Sequence, residues 1–192
     1  IYSMKSEMLL KELSIKENVC FFKDTDNKII EDFKNKYDMF KDKFFYDQFI
    51  NSGGFIVDNW IRIYGCGILN VVEKNILYNK DNYVDILIGE DILGGLFALK
   101  NEYVYYYAPD SNEWENLEIY YTQFLNWILN SPDNVNKFYQ YFRWNNWKKD
   151  CKNIKITEGI LFYPLLQFEY DIEKRSKKVI SIDELIRLNL GL

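Results

Sequence analysis

Asp110, Glu113 and Glu115 bring three carboxyl groups into one short stretch of chain. On a strand, Glu113 and Glu115 point to the same face, because side chains alternate with a period of two. Two carboxylates opposed across a cleft, one acid and one base, hydrolyse glycosides, so a carboxylate-only hydrolase is one reading. The same spacing also describes a solvated strand face, where charged side chains ordinarily sit, and that reading is favoured. Glu90-Asp91, ahead of Gly94-Gly95, offers oxygens to a hard cation but falls short of the roughly six or more that calcium takes. An acidic flank on a turn fits it better. Gly65 and Gly67 open a GxGxxG pattern that fails at Asn70, and no Walker A motif is present.

The chain has no histidine, so no Ser-His-Asp triad, Cys-His pair or His-ligated metal centre can be built from it. Three cysteines, Cys20, Cys66 and Cys151, are far apart and form no CxxC. That excludes a zinc ribbon or thioredoxin-like motif and predicts free thiols, mostly buried, in a reducing compartment. No metal and no cofactor is expected. The run Arg143-Trp144-Asn145-Asn146-Trp147-Lys148-Lys149 mixes cations with aromatics as single-strand nucleic-acid binders do. A helix that buries its tryptophans and turns its lysines outward accounts for it more simply. Acidic residues outnumber basic ones by 29 to 24, a net charge of −5, which disfavours a phosphate backbone as partner and suits a basic one. No apolar run reaches the roughly 18 residues that span a bilayer. The amphipathic, charged N-terminal segment has no signal-peptide core. A cytoplasmic protein that binds neither nucleic acid nor membrane is expected.

The elements that must position these residues follow from period and punctuation. Ser3 or Ser6 is predicted to cap a first helix carrying Met8, Leu9, Leu10 and Leu13. Ile29, Ile30, Phe33, Tyr37 and Phe40 predict a surface helix within 24–43. Asp58-Asn59 between two β-rich runs predicts a tight hairpin. Val84–Gly89 reads as a strand, and 94–99 and 103–107 as a second hairpin about Lys100-Asn101-Glu102. After the turn cluster 108–112, residues 113–117 return as a further strand, so the pairing is antiparallel. Tyr121, Phe124, Leu125, Ile128 and Leu129 then mark a helix lying on a core. Ser131 as cap and Pro132 at the first helical position restart another. Residues 159–163 read as a strand stopped by Pro164, and Ser181 with Glu184 forms the capping box of a closing helix. The expected fold is α+β, a twisted antiparallel sheet of hairpins with helices packed on it. It is read as one domain over 1–192, helical over 1–50, sheet over 53–118, and helices with one further strand over 119–192.

Several landmarks together resemble a bacterial family of uncharacterised proteins, a domain of unknown function. They are Gly-Gly with Trp-x-Arg-Ile-x-Gly-x-Gly (Gly53 to Gly67), Asp-x-x-Gly-Gly-x-Phe-Ala-Leu (Asp91 to Leu99) and Tyr-Tyr-Ala-Pro-Asp-x-x-Glu-Trp-Glu-x-Leu (Tyr106 to Leu117). Phe-Leu-x-Trp (Phe124 to Trp127), Phe-Tyr-x-x-x-Arg-Trp (Phe138 to Trp144) and Phe-Tyr-Pro (Phe162 to Pro164) follow. In layout the family is similar to the SUKH superfamily, in which a Gly-flanked strand pair precedes an aromatic hairpin and a Phe-Leu helix. That likeness implies an α+β fold and, as in many SUKH members, an immunity protein that neutralises a bacterial toxin. It brings no catalytic residues.

The reading put first is a non-enzymatic protein-binding domain, of immunity type, whose partner is a basic toxin domain. Asp91, Asp110, Glu113, Trp114 and Glu115 form its expected contact surface, on loops and an edge hairpin. A small-molecule-binding or regulatory module is the alternative, with the carboxylate hydrolase behind it.

Overall fold

A computed structural model describes residues 2–192. The chain is α+β and divides into two compact units, one reaching Gly89 and one from Glu90 to Leu192. Seven strands form one antiparallel sheet in chain order, and two more pair as a separate hairpin.

In the first unit α1 (Tyr2–Ile15) is followed by β1 (Val19–Phe21), α2 (Asn27–Tyr37) and α3 (Phe44–Ile50). Helix α1 is already under way at Ser3 and Ser6, so neither occupies its N-cap; the Ser3 side chain lies outside the described residues. Leu13 is buried and Met8 exposed, so its core-facing side is narrower than the sequence implies. The helix expected within 24–43 is shorter. Asp26 caps α2 by accepting from the Lys28 and Ile29 N–H groups at 2.8 and 3.2 Å, and the helix ends at Tyr37, giving way to a 3-10 turn. Helix α3, which charge-rich flanks conceal in the sequence, buries Phe45, Tyr46 and Phe49. The Tyr46 and Phe49 rings meet Phe33 at 5.1 and 6.0 Å.

Strands β2 (Phe55–Val57) and β3 (Ile61–Ile63) form the expected hairpin. Asp58 and Asn59 both take positive φ, 54° and 52°, and the Trp60 N–H returns to the Val57 carbonyl at 2.9 Å, the turn that matches strand twist. Helix α4 (Val71–Tyr78), absent from the sequence reading, is capped by Asn70. Its buried Asn75 side chain satisfies the backbone of β4 (Ile86–Asp91). The amide donates to the Leu87 carbonyl at 3.0 Å and accepts from the Leu87 N–H at 2.8 Å. Asn75→Ala leaves both Leu87 groups buried and unpaired. The expected loss is about 2–3 kcal/mol, measurable as a lower urea midpoint at unchanged m-value.

In the second unit β5 (Leu96–Lys100), β6 (Tyr103–Ala108) and β7 (Glu113–Tyr120) continue the meander, with Asn101 and Glu102 at positive φ in the β5–β6 turn. Helix α5 (Tyr121–Asn130) presses Phe124 onto Phe97 at 5.0 Å. Helix α6 (Pro132–Phe138) begins with proline as expected, but Ser131 makes no side-chain cap bond. Helix α7 (Trp147–Cys151) follows. Trp144 and Trp147 are buried; the Trp144 indole donates to Asp150 at 2.6 Å, and the Arg143 guanidinium lies 3.8 Å over the Trp147 ring. The segment 119–192 holds two strands, not one: β8 (Glu158–Tyr163) pairs with β9 (Ser176–Ser181), whose Lys177 and Lys178 hide its strand pattern. Ser181 caps α8 (Ile182–Leu190) through the Glu184 N–H, and Gly191 ends it at φ 70°.

Cys66 and Cys151 are buried and Cys20 is exposed. Burial pushes the Cys66 thiol up to about 12, which leaves it unreactive at neutral pH.

Candidate partner-contact surface

Strand β7 ends the sheet order, so among the described residues its outer edge pairs with no further strand. It is launched from the turn 108–112, where Asn112 at φ 55° donates its N–H to the Ala108 carbonyl at 2.8 Å. Its first half is in regular register with β6: Ala108 faces Glu113, Tyr107 faces Trp114, and Tyr106 faces Glu115. The pairing then breaks. Asn116 faces Tyr105 and Tyr120 faces Tyr103, so residues 117–119 lie opposite Val104 alone, with Glu118 at positive φ.

Asp110, Glu113 and Glu115 are exposed, and Trp114 between the two glutamates is half-buried, edge-on against Tyr107 at 5.3 Å. Four of the five residues expected at a contact surface thus lie along one turn and one strand. A bulge and a row of charges on an edge strand oppose backbone pairing with another chain.

Asp91 does not belong with them. It is fully buried, the last residue of β4, and anchors the Asp-x-x-Gly-Gly turn. One carboxylate oxygen accepts from the Leu93 and Gly95 N–H groups at 3.0 and 2.9 Å; the other accepts from the Tyr106 and Tyr139 hydroxyls at 2.6 and 2.9 Å. Burial pushes this carboxyl up, and the four hydrogen bonds pull it part of the way back. Gly95 is required because a Cβ there would stand 2.3 Å from the Tyr106 hydroxyl. The motif is a structural knot, and the polar turn chemistry that makes it look exposed in sequence is turned inward.

The bulged part of β7 contributes to a shallow apolar groove of about 460 Å³. Leu117 and Ile119 form one wall, and Trp127 of α5 with Phe138 and Lys137 of α6 the other. Trp127 and Phe138 meet edge to face at 5.1 Å. The sequence reading stopped the strand at Leu117, where alternation is lost to the bulge, and so missed this wall. A second cavity of about 170 Å³ lies among Leu93, Ile160, Leu165 and Leu185. A third, open and about 630 Å³, is bordered in the first unit by Asp24, Asp26 and Ile68. Asp110, Glu113 and Glu115 line none of these three. Among the described residues, no group of three or more Cys, Asp or Glu side chains could hold a metal ion, and no helix is long and apolar enough to cross a membrane.

A family model described as "Protein of unknown function DUF2625" matches residues 44–185. The chain belongs to the DUF2625 family. The match starts at the first residue of α3 and contains every landmark from Gly53 to Pro164, the Asp91 knot and the β7 edge included. This DUF2625 chain is 34% identical over 146 residues to "Putative uncharacterized protein YbfG" of Escherichia coli (strain K12), an alignment covering 70% of the chain and 66% of YbfG. It is 30% identical over 160 residues to an "Uncharacterized protein" of Haemophilus influenzae (strain ATCC 51907 / DSM 11121 / KW20 / Rd), covering 73% and 68%. The chain thus spans about two thirds of the length of these relatives. No solved structure matches it.

Proposed function

We propose that this DUF2625 chain is a non-catalytic protein-binding domain, of immunity type, that captures a basic protein through the β7 edge. The observation that carries this reading is the run of exposed carboxylates at Asp110, Glu113 and Glu115 along one turn and one strand, with half-buried Trp114 next to them in the chain and its ring on the strand's other face against Tyr107. Carboxylates on a projecting edge attract and orient a cationic partner during encounter, and a partly buried indole gives the complex its residence time. The net charge of −5 acts in the same direction at longer range. The strand-pair, aromatic-hairpin and Phe-Leu helix order is similar to that of the SUKH superfamily, whose immunity members bind toxin domains; a basic toxin domain is accordingly the proposed partner. The proposed compartment is the cytoplasm, to which a sparse, odd set of three cysteines is suited.

Affinity capture on the tagged chain from a lysate of its native host, washed at rising salt, tests this. One basic protein held at low salt and released as salt rises is the expected result. Failure to hold any protein at any salt would count against the reading.

The cavity among Leu93, Ile160, Leu165 and Leu185 favours a second reading, a small-molecule-binding module. At about 170 Å³ it is smaller than the roughly 300–1,000 Å³ of ordinary ligand pockets, and the hollows of about 460 and 630 Å³ are open grooves, which ranks this reading behind the first. Thermal stabilisation by a member of a metabolite panel would reverse that order.

A further inference from the structure

Between β8 and β9 the chain leaves regular structure over 164–171, yet this segment is held at many points. Arg175, buried at the start of the return, encloses its guanidinium in backbone carbonyls. One terminal nitrogen donates to Pro164 and Leu165, and the other to Phe168 and Tyr170. The Phe168 N–H closes onto the Leu165 carbonyl at 3.0 Å. Inside the loop, Leu165 and Leu166 line the cavity shared with Ile160 and Leu185. On its outer side Tyr163, Phe168 and Tyr170 are 73, 63 and 48% exposed.

Burying an arginine is costly, and here it fixes a loop whose aromatic rings face water. Those three rings lie outside the core. The arrangement is that of a pre-organised binding element, in which rigid aromatic anchors bind without losing loop entropy. Position identifies the surface it belongs to. The Gln167 amide donates to the Pro109 carbonyl at 2.9 Å and to the Asn112 side chain at 3.3 Å, which ties the loop to the turn that carries Asp110 and launches β7. Exposed Glu169 lies between Phe168 and Tyr170, while Lys177 turns away over the Trp144 ring at 5.1 Å. One exposed carboxylate thus sits among the aromatics, on the loop that Gln167 ties to the turn carrying Asp110.

We infer that the Arg175-pinned loop 163–170 is the aromatic half of the contact surface, engaging a basic protein whose cationic face surrounds an apolar pocket. This rests on the reading of β7 given above.

The test introduces the photo-crosslinker benzoyl-phenylalanine in place of Phe168, of Glu113 and, as a control in the other unit, of exposed Ile76, in the full chain expressed in its native host. The crosslinked protein is then identified, purified and titrated against wild type and Phe168→Ala/Tyr170→Ala. The inference expects the same basic protein from positions 168 and 113 and none from 76, with the double variant binding about 10- to 100-fold more weakly at an unchanged melting temperature. Crosslinking from 113 without 168, or undiminished binding by the double variant, overturns the role of the loop and leaves β7 as the site. Crosslinking from neither position overturns both. A nucleic acid, a lipid or a second copy of this chain recovered at 168 overturns the basic-protein partner.

Discussion

Asp91→Ala is expected to cost about 5 kcal/mol of stability, the largest effect of any single substitution considered. The carboxylate serves four buried donors, two backbone N–H groups and two tyrosine hydroxyls. Alanine removes the acceptor that all four share in a site that is closed to water, and each donor left without one costs about 1–3 kcal/mol before relaxation. Asp91→Asn should cost about half as much, because the amide keeps one acceptor oxygen while its NH₂ confronts two donors. Tyr139→Phe removes one bond and about 1 kcal/mol. Urea midpoints for the three variants, read by tryptophan fluorescence, should fall in that order. An Asp91→Ala protein as stable as wild type would show that the Gly94-Gly95 turn holds itself together.

A pH signature accompanies this. Burial raises the Asp91 carboxyl above its ordinary value of 3.8, so the folded chain takes up this proton more readily than the unfolded one. The stability the group contributes is therefore complete below the unfolded value and is lost as pH rises through the folded one. Subtracting the pH–stability curve of Asp91→Asn, which cannot ionise, should leave a component that falls upward from about pH 4 and levels off above the folded value. A component that rises with pH would mean that the hydrogen bonds outweigh burial.

The second large effect is on binding. Glu113→Lys/Glu115→Lys takes the net charge from −5 to −5 + 4 = −1 and inverts the sign of the β7 edge. Both side chains are exposed, so the melting temperature should move little. Affinity for a cationic partner should fall by about 10- to 100-fold, chiefly through slower association, since charges at the rim of an interface steer encounter. The steep salt dependence of wild-type binding should flatten in the variant. The neutral pair Glu113→Gln/Glu115→Gln should fall between the two.

What the sequence disclosed depended on how local the determining contacts are. The turns at Asp58-Asn59 and Asn101-Glu102 were legible because residues that tolerate positive φ separate β-rich runs. Helix α5 was legible because five apolar residues keep helical spacing, and the start of α8 because its cap and third residue lie three apart. Asp91 was misread because its partners Tyr106 and Tyr139 lie 15 and 48 residues further on; nothing near Asp91 in the chain distinguishes a buried turn from an exposed one. Strand β4 runs two residues later than Val84–Gly89 for the same reason, since it closes on Glu90 and Asp91, which charge argues out of a strand. Strand β1 has only three residues and α4 is held by the Asn75 amide, so neither presents a periodic pattern. The places of Asp110, Glu113, Trp114 and Glu115 on a turn and a strand were accessible because turn chemistry and alternation are local. The loop at 163–170 was not, because its order comes from Arg175.

The most direct test of the central claim is the association rate of the captured basic protein with wild type and with Glu113→Lys/Glu115→Lys between about 50 and 300 mM salt. A wild-type rate that drops steeply with salt, and a slower variant rate that hardly changes, is the predicted result. Equal rates with equal salt dependence would contradict the claim that the acidic β7 edge meets the partner.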